Sequence, residues 1–398
     1  MIRFRFTHMV RYHSTSHFTL PLSTSSLKDS PHSNLLLDKL KDTYLNGKLV
    51  VGHENATESL NSTSSLPMTQ FPKNKIFVQV AQDDNVGSWR KPFVKWFRLG
   101  VYMVKYYKEG VKNTYRLAKD TRPLIKQYKD RLSTELCKSV EFKEIEHRLK
   151  KRAGSEPIEL LPLNRRQFVE FHRRREARKI PVFFVLALAF EEFTAVICYL
   201  WPKVAPHNCL TPGAFAKITR SHVNHELGQI SEVPTYKSPY TLPTDQVFAK
   251  LKSSFVEQTP RWKLALYQLV DNKVLPRETL VRIHHYLFVD DWLLLQHILH
   301  NESTVLAPAE LVDCIMLRQL YRSEEDLNVM ANDPQGQRVL VWRLLIYWAF
   351  RFDKTITSGG ESLFAERWGV NNVSILNYSG WENGDLIGTR ELPILELR

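Results

Sequence analysis

A continuous apolar stretch with two carboxylates at its middle constrains this chain more than any other feature. It runs 22 residues from Ile180 to Trp201, IPVFFVLALAFEEFTAVICYLW. At a rise of about 1.5 Å per residue, that length crosses a bilayer core. Glu191 and Glu192 stand at its centre, where charge is most costly. Its Ile, Val, Leu and Phe residues favour insertion by about 5 kcal/mol, and two central acids oppose it by about 5 to 7 kcal/mol. The balance is near zero. The stretch is a membrane helix with neutral or paired acids, a helix held in lipid by neighbours, or a buried core helix. Its length and its apolar character on every side favour membrane association. Pro181 and Pro202 frame it, as proline suits a first helical turn and commonly follows a last one.

The two acids and the residues before them are the candidate functional groups. An acid in a membrane helix points by default to proton or cation handling, which makes Glu191 and Glu192 the candidate ion-handling pair. The plainer reading is a structural pairing with a basic residue of another helix, or a helix lying in the interface. Arg165, Arg166, Arg173, Arg174, Arg175, Arg178 and Lys179 precede the stretch. They are candidate contacts to a ribosome or to anionic lipid. The formal charge of +13 is concentrated here, because residues 90–179 hold 26 Lys and Arg against 11 Asp and Glu. The rest of the chain is therefore slightly acidic. An anionic leaflet and a polyanion such as ribosomal RNA account for this equally well.

The first 28 residues contain no acid, and Arg3, Arg5 and Arg11 are interspersed with Ile2, Phe4, Phe6, Met9 and Val10. That arginine-rich, serine-rich, amphipathic composition is expected of a mitochondrial presequence. Cys137, Cys198, Cys209 and Cys314 are far apart and form no CxxC pair, which suits a reducing compartment and gives no zinc site. There is no phosphate loop, dinucleotide fingerprint, nucleophile elbow or zinc-protease helix. His284, His285, Asp290, Asp291, His297, His300 and Asp313 cluster in sequence. Helix caps and surface histidines explain them better than a metal, with Asp290 or Asp291 placed as an N-cap. No cofactor, no metal and no enzyme activity is expected.

The expected fold class is all-α, a membrane-associated helical segment followed by a helical domain of ribosome-binding type. Residues 1–28 form the presequence and 29–88 a polar linker. Residues 89–154 form basic amphipathic helices, in which Phe93, Trp96, Phe97, Val101, Val104 and Tyr107 recur at helical spacing. Such a helix lies on a membrane surface or packs on a core. Residues 155–206 hold a basic helix capped by Asn164 and the membrane segment 180–201. Residues 207–354 form the helical domain. In it Pro308 occupies a first turn and QRVLVWRLLIYWAF is a core helix too short to span. Residues 355–398 are an irregular tail.

Three features carry a family resemblance. They are Arg165-Arg166-Gln167 before a basic helix, Ile180-Pro181 opening an apolar stretch with an acid near its middle, and the closing YLWPKVAP with two prolines four apart. Together with the layout of residues 284–321, they resemble the leucine-zipper and EF-hand-containing transmembrane (LETM) family, in a short form lacking coiled coil and EF-hand. The resemblance implies a mitochondrial inner-membrane protein with a matrix-facing domain that binds mitochondrial ribosomes. It implies support of translation, or of membrane insertion and assembly of respiratory-chain subunits, with assembly factors as further partners and potassium–proton exchange as the alternative. The positive-inside rule puts the Arg165–Lys179 flank in the matrix, whereas one span with a matrix C-terminal domain puts it outside. A re-entrant or interfacial segment would keep both flanks on one side.

Overall fold

The computed structural model describes residues 18–19, 35–153, 161–190, 194–223, 235–236 and 242–352. The chain is mostly helical. It opens with α1 (Leu35–Leu45), β1 (Leu49–Val51) and α2 (Lys73–Ala81). The basic segment forms α3 (Lys91–Asp120), α4 (Arg122–Tyr128) and α5 (Leu132–Ala153). Next come α6 (Arg165–Arg173), a 3₁₀ turn (Arg174–Lys179), α7 (Ile180–Phe190) and α8 (Thr194–Leu200). The remainder comprises α9 (Pro212–His222), α10 (Thr244–Ser253), α11 (Arg261–Leu269), α12 (Val274–His300), β2 (Thr304–Leu306), α13 (Pro308–Arg318), α14 (Leu327–Asn332) and α15 (Pro334–Phe352). β1 and β2 pair in parallel, Leu49 opposite Thr304 and Val51 opposite Leu306. Phe18–Thr19 pairs antiparallel with Thr235–Tyr236.

The core is built around α12. From Thr279 to Leu295 most of its residues are buried. It packs against α5, α6, α10 and α11. Phe168 and Phe171 of α6, Phe288 and Leu294 of α12 and Trp348 of α15 are buried together in one cluster. Part of the segment expected to be a polar linker belongs to this core. Leu40 and Leu60 are buried. The Asn61 side chain donates to the carbonyls of Thr57 and Val305 and accepts from the Ala307 N–H, pinning β2. The patch KIFVQV, within the same segment, lies in helix α2. The expected presequence and tail lie outside the described residues, apart from Phe18–Thr19.

Of the span and the re-entrant or interfacial segment that the sequence leaves open, the span is not met. Among the described residues no helix is long and apolar enough to cross a membrane. The apolar stretch instead gives two short helices, and α7 has 11 residues. At about 1.5 Å per residue α7 reaches roughly 16 Å, half of a bilayer core of about 30 Å. The two flanks also meet, because the His207 N–H donates to the Glu176 carboxylate at 2.8 Å. Both ends of the stretch therefore lie on one side, in a hairpin.

The start of α15 carries a sharp packing constraint. The Asp333 carboxylate accepts from the Gly336 N–H at 2.8 Å. A Cβ at position 336 would lie 2.4 Å from the Met330 carbonyl oxygen and 2.6 Å from its Cα. Helix propensity alone would make Gly336→Ala stabilising by about 1 kcal/mol. The backbone clash reverses the sign, so the variant should lose about 1 to 3 kcal/mol, as overpacked sites do. A thermal melt decides it, and an unchanged or raised Tm would refute the close approach.

Candidate functional site

The site grows from α6. Asn164 caps this helix, accepting from the Gln167 N–H while its own N–H donates to the Gln167 side chain, a reciprocal capping box. The cap fixes which residues point inward. Phe168, Val169 and Phe171 enter the core, and Arg165 points inward with them. The Arg165 guanidinium donates to Asp290 at 2.8 Å, to Glu310 at 3.0 Å and to the Leu60 carbonyl at 2.8 Å. Arg173, two turns on, donates to Glu310 at 3.1 Å and to Asp313 at 2.8 Å. Arg318 bridges Asp290 and Asp291, each at 2.6 Å. Arg351 pairs with Asp291 at 2.8 Å, and the Trp348 N–H donates to the same carboxylate. The Ser62 N–H donates to Glu310 at 2.6 Å.

Four arginines thus oppose four carboxylates deep inside the protein, and the sum is neutral. Isolated charges there would be prohibitive; paired with opposite charges they are tolerated. Burial pushes the Glu310 carboxyl up, but Arg173, Arg165 and the Ser62 N–H outweigh it and hold it down at about 2. Burial pushes the Cys314 thiol up to about 12, although Arg165 donates to its sulfur at 3.3 Å. Asp290 and Asp291 are therefore not an N-cap. They lie within α12 and are neutralised by arginines from α6, α13 and α15.

Beyond Arg173 the network opens into a cleft of about 640 Å³. Arg175, Arg178 and Lys179 of the 3₁₀ turn form one wall, and Arg282 and Tyr286 of α12 form another. His172 and His207 face it. Burial, then Arg175 and Arg174, drive the His172 ring well below its ordinary range. Burial also lowers His207 despite Asp313 and Glu176. Both rings are accordingly neutral at physiological pH.

Next to the cleft begins the exposed face of α7. Val182, Phe184, Val185 and Leu188 are each more than half exposed, and Trp201 is 62% exposed at the far end. Phe183 faces inward, 5.6 Å from the Tyr107 ring of α3. Two further apolar faces are exposed. Phe93, Trp96, Phe97 and Val104 lie on the N-terminal half of α3. Trp262, Leu266, Leu269 and Val270, at i, i+4, i+7 and i+8, lie on and just beyond α11. The C-terminal half of α3 exposes Lys105, Lys108, Lys112, Arg116 and Lys119, whose spacing of three and four makes one stripe.

The candidate contacts named from sequence separate into groups. Arg165 is buried and Arg173 nearly so, both inside the ion network. Neither is available to a ribosome or to lipid, because the carboxylates around them take their hydrogen bonds. Arg166 pairs with Glu170 one turn on. Arg174 stacks on Phe171, donates to the Phe171 carbonyl and pairs with Asp130. Arg175, Arg178 and Lys179 line the cleft. Glu191 and Glu192 lie outside the described residues. Among the described residues no group of His, Cys, Asp and Glu is arranged to hold a metal ion. The sequence reading missed Arg282, Glu310, Arg318 and Arg351. For Asp290–Asp291 a signal existed: two acids inside the apolar run LFVDDWLLL, the same pattern as Glu191–Glu192.

Comparison with known proteins corrects the resemblance to the LETM family. The family model that matches is the pentamidine resistance factor domain (PNT1), over residues 60–299. That span contains the three features on which the resemblance rested. The chain is 38% identical over 363 residues to "Pentamidine resistance factor, mitochondrial" of Saccharomyces cerevisiae, covering 85% of each chain. No solved structure matches it. The chain is a mitochondrial protein, and it belongs to the pentamidine resistance factor family.

Proposed function

We propose that this protein docks on the inner mitochondrial membrane through its apolar hairpin and there holds a mitochondrial ribosome, supporting insertion and assembly of newly made membrane subunits. One observation carries the reading. The apolar hairpin keeps both flanks on one side, through Glu176 and His207, and turns large apolar side chains outward. Exposed apolar area of this extent marks an interaction surface. The occupant is lipid, because basic residues flank the face as they flank interfacial helices. Lys179 and Lys203 sit at the two ends of the hairpin, near Arg261 at the start of α11. Lys217 donates to the last carbonyls of α8.

The basic stripe of α3 supports the ribosomal half of the proposal. Five exposed cations in one row suit phosphates spaced along an RNA backbone. Each contact should contribute about 0.7 to 0.9 to the slope of log affinity against log salt. Replacing Lys105, Lys108, Lys112, Arg116 and Lys119 by Gln should therefore flatten that slope by about 3.5 to 4.5. Sedimentation of the purified protein with mitochondrial ribosomes across a salt series measures it. No co-sedimentation of the unaltered protein at low salt would end the ribosomal reading and leave membrane docking standing. Potassium–proton exchange would rest on Glu191 and Glu192, so no observation here favours it.

A further inference from the structure

We infer that the cleft between the 3₁₀ turn and α12 is a site for the phosphate group of an anionic phospholipid. This rests on the membrane-docking reading and names the lipid class the docked protein would select. The first observation is the state of the charges in the walls. Each carboxylate there is already committed. Asp313 is held by Arg173 at 2.8 Å, Glu257 by Arg282 at 2.9 Å, Glu176 by Lys179 at 2.8 Å and Asp130 by Arg174 at 2.9 Å. One cation is held only by long pairs, and another is left over. Arg175 reaches Asp130 only at 3.7 Å and Glu257 only at 3.9 Å. Arg178 has no carboxylate within ion-pair distance among the described residues, and it is exposed.

The second observation is mutual repulsion among the cations. Burial, then Arg175 and Arg178, push the Arg174 guanidinium down against the pull of Asp130. Burial, then Arg261 and Lys179, push the Lys203 ammonium down. Like charges in excess over their counter-ions are relieved by an anion, and planar guanidinium forks match phosphate oxygens. The third observation is position. The turn that supplies Arg175, Arg178 and Lys179 runs without a break into α7, so the cleft borders the apolar face. Phe255, Val256 and Leu317 give it an apolar wall as well. A phosphate joined to a glycerol backbone fits this pairing of cations and apolar surface better than free phosphate does. A basic pocket beside a membrane segment is a recurrent way to hold anionic headgroups.

The test is flotation of the full chain with two vesicle preparations. One is phosphatidylcholine alone, and the other contains about one lipid in five as cardiolipin, at near-physiological salt. Cardiolipin should tighten binding of the unaltered protein. Arg175→Gln with Arg178→Gln should lose about 30-fold of that gain, the share expected of two surface cations. It should bind neutral vesicles unchanged, since the apolar face is intact. Lys39→Gln with Lys75→Gln removes two exposed charges elsewhere and should keep the gain. Equal losses in the two variants would reduce the effect to net charge and overturn the site. Competition by millimolar inorganic phosphate that abolishes the gain would reassign the cleft to free phosphate. A cleft variant that lost ribosome binding instead of the cardiolipin gain would reassign it to RNA. Failure of the unaltered protein to bind any vesicle would refute docking alone. The cleft is then judged by the Tm rise with monomeric short-chain phosphatidylglycerol, expected for the unaltered protein and absent in the cleft variant; no rise would overturn the site.

Discussion

Glu310→Gln is expected to lower the stability of this protein by about 3 to 5 kcal/mol, the scale for removing one partner of a buried ion pair. Glu310 accepts from Arg165, Arg173 and the Ser62 N–H, and it is fully buried. Glutamine keeps the volume and removes the charge. Two arginines then share too few carboxylates in a medium that cannot solvate them. With a total stability of typically about 5 to 15 kcal/mol, that loss is a large fraction of what holds the fold. Arg165→Met should cost about as much, since it takes one of the two arginines from both Asp290 and Glu310. The double variant restores neutrality, so its loss should fall well short of the sum of the single losses, with a coupling of about 1 to 3 kcal/mol. Urea unfolding of the four proteins measures the cycle. Single variants within about 0.5 kcal/mol of the original protein would behave as surface substitutions do and would sink the account.

This changes how variants of the basic segment are to be interpreted. Loss of membrane or ribosome association in an Arg165 or Arg173 variant reports damage to the core. Arg175, Arg178 and the row from Lys105 to Lys119 carry charge that can be removed while the fold stands, because they are partly or fully exposed and do not enter the buried network.

Much of the local structure was legible because its causes are local. Asn164 and Gln167 sit three apart and form the capping box. Pro308 occupies the first turn of α13, and the apolar run after Gln337 forms core helix α15. The ion network was not legible, because its partners lie far apart in sequence. Arg165 meets Asp290 and Glu310 across more than a hundred residues. No helical period relates them, so Asp290–Asp291 read as a cap and Arg165 as a surface contact. The choice between a span and a hairpin stayed open for a related reason. Length and hydropathy describe a span and a hairpin equally, and only the contact between Glu176 and His207 separates them. The family was misread because the features that carried the resemblance, an Arg-Arg-Gln triplet and a proline-framed apolar stretch, are short and degenerate.

The second large effect is expected at the hairpin. Phe184→Gln, Val185→Gln and Leu188→Gln together should cut binding to phosphatidylcholine vesicles by a thousandfold or more. Each of these side chains is at least 59% exposed in the free protein. Moving one into lipid is worth about 1.5 to 3 kcal/mol, so three exceed the roughly 4 kcal/mol that a thousandfold represents. Their exposure also means that the fold should lose little, within about 0.5 kcal/mol for each surface substitution. Phe183 provides the contrast, being buried against Tyr107. Phe183→Gln should lower the Tm because it opens the core, whereas the triple variant should melt as the original does. Orientation follows from the sequence beyond α7. Glu191 comes directly after Phe190, so a hairpin standing upright in the bilayer would carry that acid roughly 16 Å deep. An acid at such depth is opposed by about 2.5 to 3.5 kcal/mol. A hairpin lying flat would expose the same apolar face to lipid without demanding that depth. Flat docking therefore predicts that Glu191→Gln with Glu192→Gln changes vesicle binding little, while an upright hairpin predicts a large gain. Normal melting of the triple variant with unchanged vesicle binding would show that the exposed face of α7 does not meet lipid at all.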